Sequence, residues 1–234
     1  PPPPPPPPFF FLAEDGIRDQ PLSRGRGDVY KRQAYRFAEK HGMTFISPYN
    51  DLDVVAGQGT IGVELLHQMT ALDAVFVAVG GGGLISGIGA YLKASLPGVE
   101  IVGCSPENSA VMMASVEAGR VLELPSLPTL SDGTAGGIEP GALTFELCST
   151  VVDRWIDVTE SEISSAIRLF LVEHRMAVEG AAGVALAAFQ KTAADYTGKR
   201  VAIIICGGNI GRNKLQSVLS EGLTPGPAKP APGR

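Results

Sequence analysis

Four successive glycines, Gly80, Gly81, Gly82 and Gly83, followed by Leu84, come directly after an apolar run over residues 74–79. With no Cβ, each glycine reaches positive φ without steric cost and lets its backbone N–H approach a ligand closely. A helix beginning at residue 84 would add the positive end of its dipole. This is an anion cradle, and the ligand it implies carries a phosphate. A strand-to-helix turn alone would need only one or two glycines. A P-loop would continue Gly-Lys-Ser/Thr, whereas the chain reads Gly83-Leu84-Ile85. A dinucleotide fingerprint spaces its glycines and puts an acid about 20 residues on. Glu100 stands near that distance, which keeps the alternative open. A second glycine turn, Cys206-Gly207-Gly208-Asn209, ends the β-branched run over residues 200–205.

The segments around these turns alternate between strand and helix patterns. Residues 74–79, 100–104, 155–158 and 200–205 read as strands, with a further short strand over 43–46. Helices are expected over 34–41 (closed by Gly42), 57–69 (opened by glycines), 84–95, 109–118, 143–151, about 160–176 and 179–192. Thr159-Glu160-Ser161-Glu162 is a capping pattern for the sixth of these. Strand-helix repetition predicts an α/β fold with a doubly wound, mostly parallel sheet and helices on both faces. Ligands of such sheets gather beyond the carboxyl ends of the strands, so both glycine turns are expected to face one cleft.

Composition narrows the function classes. The 234 residues are 44% hydrophobic, enough for one substantial core, and carry a net charge of −5. With no basic stripe, nucleic acid is not an expected partner. No apolar run approaches the length of a membrane span, so no membrane partner is expected either. Cys104, Cys148 and Cys206 have no metal-type spacing, which predicts reduced thiols and a cytoplasmic setting. His41, His67 and His174 stand alone and read as surface or packing residues. Residues 221–234 form a Pro/Gly-rich tail expected to be disordered.

The first 33 residues read differently from the rest. They open with eight prolines and three phenylalanines, and 13–19 (AEDGIRD) and 28–33 (DVYKRQ) resemble translated sequencing-library adapters. We therefore expect residues 1–33 to be an artefact without order and native sequence to begin near Ala34, inside an element.

Five ordered segments, AGQGT (56–60), GGGGL (80–84), SDG (131–133), EGAAG (179–183) and CGGN (206–209), resemble the fold-type II pyridoxal-phosphate enzymes, in the serine/threonine dehydratase and serine racemase branch. The resemblance spans residues 34 to about 212. It implies that 34–46 end a small domain and that 47–220 form an incomplete large domain binding pyridoxal phosphate. It further implies that Gly80, Gly81, Gly82, Gly83 and Leu84 hold the phosphate, that Cys206 sits against the pyridine nitrogen, that Gly133 approaches the substrate or ring, that Tyr49 lines the cofactor wall, and that Glu179 stands near the cofactor. For Cys206 a buried small hydrophobe, and for Glu179 a plain helix-start charge, are the alternatives.

By the same resemblance, the intact parent removes water and ammonia from L-threonine or L-serine, leaving a 2-oxo acid, and is a homodimer. A serine racemase, or a phosphate-binding module without covalent chemistry, is the alternative. The chain departs from the family pattern in two respects. The positions of a cation-binding pair of acids hold Ser105 and Val111, with Glu107 nearby, so no metal site is expected. The Schiff-base lysine motif is also absent from the chain and is expected upstream, leaving no catalytic residue and an inactive fragment. Lys40, Lys93, Lys191, Lys199 and Lys214 read as solvated charges.

Overall fold

The computed structural model describes residues 26–220, with side chains from Gln33 onward. The chain order is helix α1 (Arg26–His41), α2 (Leu52–Gln68), strand β1 (Ala74–Ala78), α3 (Gly83–Ser95), β2 (Glu100–Pro106), α4 (Val111–Glu117), α5 (Leu143–Val151), β3 (Arg154–Val158), α6 (Glu160–His174), α7 (Gly180–Thr192), β4 (Val201–Ile203) and α8 (Arg212–Ser220). Helix α1 takes in residues 26–33 as well as 34–41, while residues 1–25 and the expected tail over 221–234 lie outside the described residues.

The four strands are all parallel and lie in the order β3-β2-β1-β4. Strand alternation sends successive β1 side chains to opposite faces. Ala74, Phe76 and Ala78 join Val102, Cys104 and Ile156 against α6, α7 and Val218 of α8. Val75, Val77 and Val79 join Ile101 against α3, α4 and α5. All five β1 residues are buried, as expected of a strand covered on both faces. The crossovers β1-α3-β2 and β2-α4-α5-β3 use one face, whereas β3-α6-α7-β4 uses the other. The winding therefore reverses between β1 and β4, which is where an open sheet leaves its crevice.

Local signals account for most of the boundaries. Thr159 caps α6 through the full capping box: its Oγ1 accepts from Glu162 N at 3.2 Å, and its own N–H donates to Glu162 Oε2 at 2.7 Å. Gly42, at φ +64°, ends α1.

Four expectations need correction. The second helix starts at Leu52 rather than at residue 57, because Asp51 Oδ1 accepts from Asp53 N at 2.9 Å and Val54 N at 3.2 Å, one full turn before the glycines. Of those glycines, Gly59 serves packing: a Cβ on Gly87 of α3 would strike Val55 O and lie 2.7 Å from Gly59 N. Residues 43–46 pair with none of the four described strands, and Met43 and Ile46 lie exposed, so they form no strand. Strand β4 stops at Ile203, although Ile204 N still donates to Phe76 O at 3.0 Å. Helix α8 was not expected; its Val218 carbonyl accepts from Arg168 Nη1 at 3.1 Å.

Candidate functional site

The turns after β1 and β4 open onto one cavity of about 640 Å³. All nine residues singled out in the sequence line it: Tyr49, Gly80, Gly81, Gly82, Gly83, Leu84, Gly133, Glu179 and Cys206. Among its described lining residues there is no lysine and no histidine.

Five consecutive backbone donors stand at one end. The N–H groups of residues 80–84 have no acceptor among the described residues, and the α3 ladder begins only with Ser86 N donating to Gly82 O at 3.0 Å. Unpaired N–H groups, glycine backbone and the positive end of a thirteen-residue helix together make an anion site. The turn has no room for side chains. A Cβ on Gly80 would lie 2.9 Å from Thr134 Cα, one on Gly83 would lie 2.9 Å from Tyr49 Cα, and one on Gly81 would enter the Tyr49 ring. Gly82 is left-handed at φ +86°, a conformation that only glycine adopts without strain. A backbone cradle for an anion requires these features.

Tyr49 is held in place by its neighbours. Glu139 N donates to its hydroxyl at 3.4 Å, and Asn50 bridges to α5 by accepting from Leu143 N at 2.8 Å and donating to Glu139 Oε2 at 3.0 Å. Gly133 lies beside Glu179, its added Cβ 3.4 Å from Glu179 Oε1, in the turn braced by Ser131 Oγ and Thr134 Oγ1 at 2.7 Å.

The far end is built by Glu179. Its Oε2 accepts from Asn209 N at 3.2 Å, its N–H donates to Gly207 O at 3.1 Å, and its Oε1 occupies the place of a Gly207 side chain. The carboxylate makes no cap bond to α7, although Glu179 stands at the N-terminal end of that helix, and it holds the second glycine turn through Asn209 N. Beside it, Cys206 is half-buried; desolvation first, and then the Glu179 charge, push its thiol up to about 11. The thiol therefore stays protonated and uncharged at neutral pH.

The positions outside the cavity are also informative. Ser105 is buried with its hydroxyl unpartnered, Val111 is packed in the core and Glu107 is exposed. No group of three or more potential metal ligands occurs among the described residues. His41, His67 and His174 are exposed, the first stacked on Phe37. Lys214 departs from its expectation: it is mostly covered and bonded to Asp132 Oδ2 at 2.8 Å and to the carbonyls of Leu130 and Thr129, because α8 carries it onto the turn bearing Gly133. Lys93 likewise pairs with Asp153 Oδ2 at 2.5 Å and with Val99 O at 2.9 Å. No described helix is long and apolar enough to cross a membrane.

Residues 22–207 match the family model described as pyridoxal-phosphate dependent enzyme. At 43% identity over 190 residues, the chain is similar to L-threonine ammonia-lyase of Thermotoga maritima, covering 81% of this chain and 47% of that protein. Among solved structures it resembles the processed form of threonine deaminase isoform 2 from Solanum lycopersicum, with TM-score 0.76, 33% identity and coverage of 81% of this chain and 55% of that one. Maize serine racemase gives TM-score 0.73 at 30% identity, covering 84% and 62%. The chain spans about half the length of the curated relatives it matches.

Proposed function

The chain belongs to the pyridoxal-phosphate dependent enzymes, in the fold-type II serine/threonine dehydratase branch, and from that premise we propose that it is the cofactor-holding part of an L-threonine or L-serine ammonia-lyase. The observation that carries the proposal is the row of five acceptor-free N–H groups at residues 80–84, facing the same cavity as a neutral thiol on the second glycine turn.

In this reading the amides of Gly80, Gly81, Gly82, Gly83 and Leu84 grip the phosphate, aided by the α3 dipole. Pyridoxal phosphate, when bound, supplies the electron sink that loosens the α-hydrogen of an amino acid. Tyr49 and Gly133 both line the cavity, where Tyr49 would wall the ring and Gly133 would bring backbone near the substrate or ring. Cys206 holds its proton at Sγ and offers the ring nitrogen a neutral neighbour, while Glu179 keeps the turn that carries it in place. A neutral partner draws less charge into the ring than a carboxylate would. This favours prompt loss of a β-hydroxyl over slower alternatives, which is the basis for preferring dehydration. Ala78, Ile85 and Ala181 give the cavity an apolar floor that limits water. The lysine that would bind the cofactor covalently and move the α-proton belongs, in this reading, to a segment preceding the family-like region.

A direct test joins residues 34–220 behind the upstream half of the Thermotoga maritima relative and adds pyridoxal phosphate. Release of ammonia with a 2-oxo acid from L-threonine or L-serine is the expected result. A product mixture of L- and D-serine without ammonia would favour a racemase, and no turnover by a folded, cofactor-loaded protein would refute the lyase reading.

A further inference from the structure

A run of four glycines has almost no conformational preference of its own and loses the most entropy when fixed, so its shape must be imposed by what packs around it. At Gly82 the packing comes from α4 and α5 rather than from Tyr49. The space that a Gly82 side chain would need is filled by Cys148 Sγ at 2.8 Å, Met112 Cε at 2.9 Å and Thr144 Cβ at 3.3 Å. Cys148 is fully buried, and its thiol is polarised toward the turn: Sγ lies 3.6 Å from Ser86 Oγ and 3.9 Å from Gly82 O. That carbonyl is the one that starts the α3 ladder by accepting from Ser86 N. Burial pushes this thiol up to about 11, against the pull of the Ser86 bond, so it is a packed neutral group with no nucleophilic role. Cys148 and Thr144 both lie on α5, whose first turn is tied through Leu143 N to Asn50, the residue next to Tyr49. One helix thus reaches both walls of the glycine turn.

We propose that Cys148, with Met112 and Thr144, forms a back plate that fixes Gly82 in its left-handed conformation, and that it is a positioning residue setting the affinity of the turn for a phosphate. The proposal rests on the reading of residues 80–84 as the phosphate site. It predicts that altering the volume of residue 148 changes recognition of the phosphate and leaves the rest of the ligand untouched.

The experiment compares the binding of pyridoxine phosphate and pyridoxine to the full 234-residue chain by equilibrium dialysis. Neither ligand carries an aldehyde, so neither condenses with surface lysines. Cys148→Leu overfills the plate and is expected to weaken pyridoxine phosphate about tenfold or more while pyridoxine stays within about twofold. Cys148→Ala leaves a gap that the turn relaxes into, and about a threefold loss of the phosphate preference is expected. Circular dichroism establishes folding for each variant, and the alanine variant carries the test alone if the leucine variant does not fold. An unchanged affinity ratio in the folded variants overturns the proposal while leaving the phosphate site standing. If the unaltered chain shows no preference for the phosphate form, the site reading and the back plate fail together.

Discussion

Tyr49 stands where a side chain on Gly81 would go: a Cβ built on Gly81 meets Cγ and Cδ1 of the ring and lies 2.7 Å from Cδ2. Gly81→Ala should therefore displace the ring or the turn, at roughly 1–3 kcal/mol, the usual cost of overpacking. Urea denaturation measures this cost. Tyr49→Ala in the same chain removes the obstacle, so the double variant should be more stable than the sum of the single changes predicts. Strict additivity would mean that the two residues do not touch.

Gly57 of the AGQGT segment and Gly87 of the facing helix should respond in opposite ways. Gly57 lies in α2 with nothing within 4 Å of an added Cβ, and Gly57→Ala should stabilise by roughly 0.5–1 kcal/mol. Gly59 faces Gly87 across the helix crossing, with Gly87 O 3.2 Å from its added Cβ, and Gly87→Ala drives a methyl into Val55 O. That second change should cost at least about 1–3 kcal/mol. Thermal midpoints moving in the same direction for Gly57→Ala and Gly87→Ala would contradict the crossing described here.

Much of this was legible because it is local. Residues 74–79 announce a buried strand by apolar content, Thr159 and Glu162 announce a helix start by their spacing, and glycine turns after two core strands announce a cleft. What was hidden depends on contacts distant in sequence. The glycines at 57 and 59 looked like helix openers because the partner of Gly59, Gly87, lies on another helix, while the true start at Asp51 needed only a cap. Residues 43–46 have a strand composition, but composition cannot supply a neighbouring edge. The place of Cys148 behind the glycine turn was hidden because its contact with Gly82 spans 66 positions. Lys214 looked solvated because the carbonyls it reaches, Thr129 and Leu130, lie 85 and 84 positions earlier in the chain.

Removing either half of the α6 capping box should weaken the protein without touching the cavity. Thr159→Ala frees Glu162 N and is expected to cost about 1 kcal/mol in urea denaturation. Unchanged stability would mean that the cap geometry contributes nothing.

The Cys206 thiol carries a pH signature. Its folded value is raised to about 11 from the ordinary 9, first by desolvation and then by Glu179, so the unfolded chain releases this proton first as pH rises. The linked stability is fully present below pH 9 and is lost as pH climbs through 11. Alkylation of Cys206 by iodoacetamide should accordingly stay slow until pH approaches 11. In Glu179→Gln the rise should move toward pH 9, though not all the way, because burial remains. A thiol that alkylates with an apparent value of 9 in the unaltered protein would remove Cys206 from the protected wall assigned to it.

The amides of residues 80–84 can be watched directly, since four of the five belong to glycines and selective ¹⁵N-glycine labelling isolates them among the 29 glycines of the chain. Titration with pyridoxine phosphate should shift the Gly80, Gly81, Gly82 and Gly83 resonances, and pyridoxine lacking the phosphate should leave them nearly in place. If these four stay fixed while glycines elsewhere respond to the phosphate, the cradle is not where the phosphate binds and the account fails.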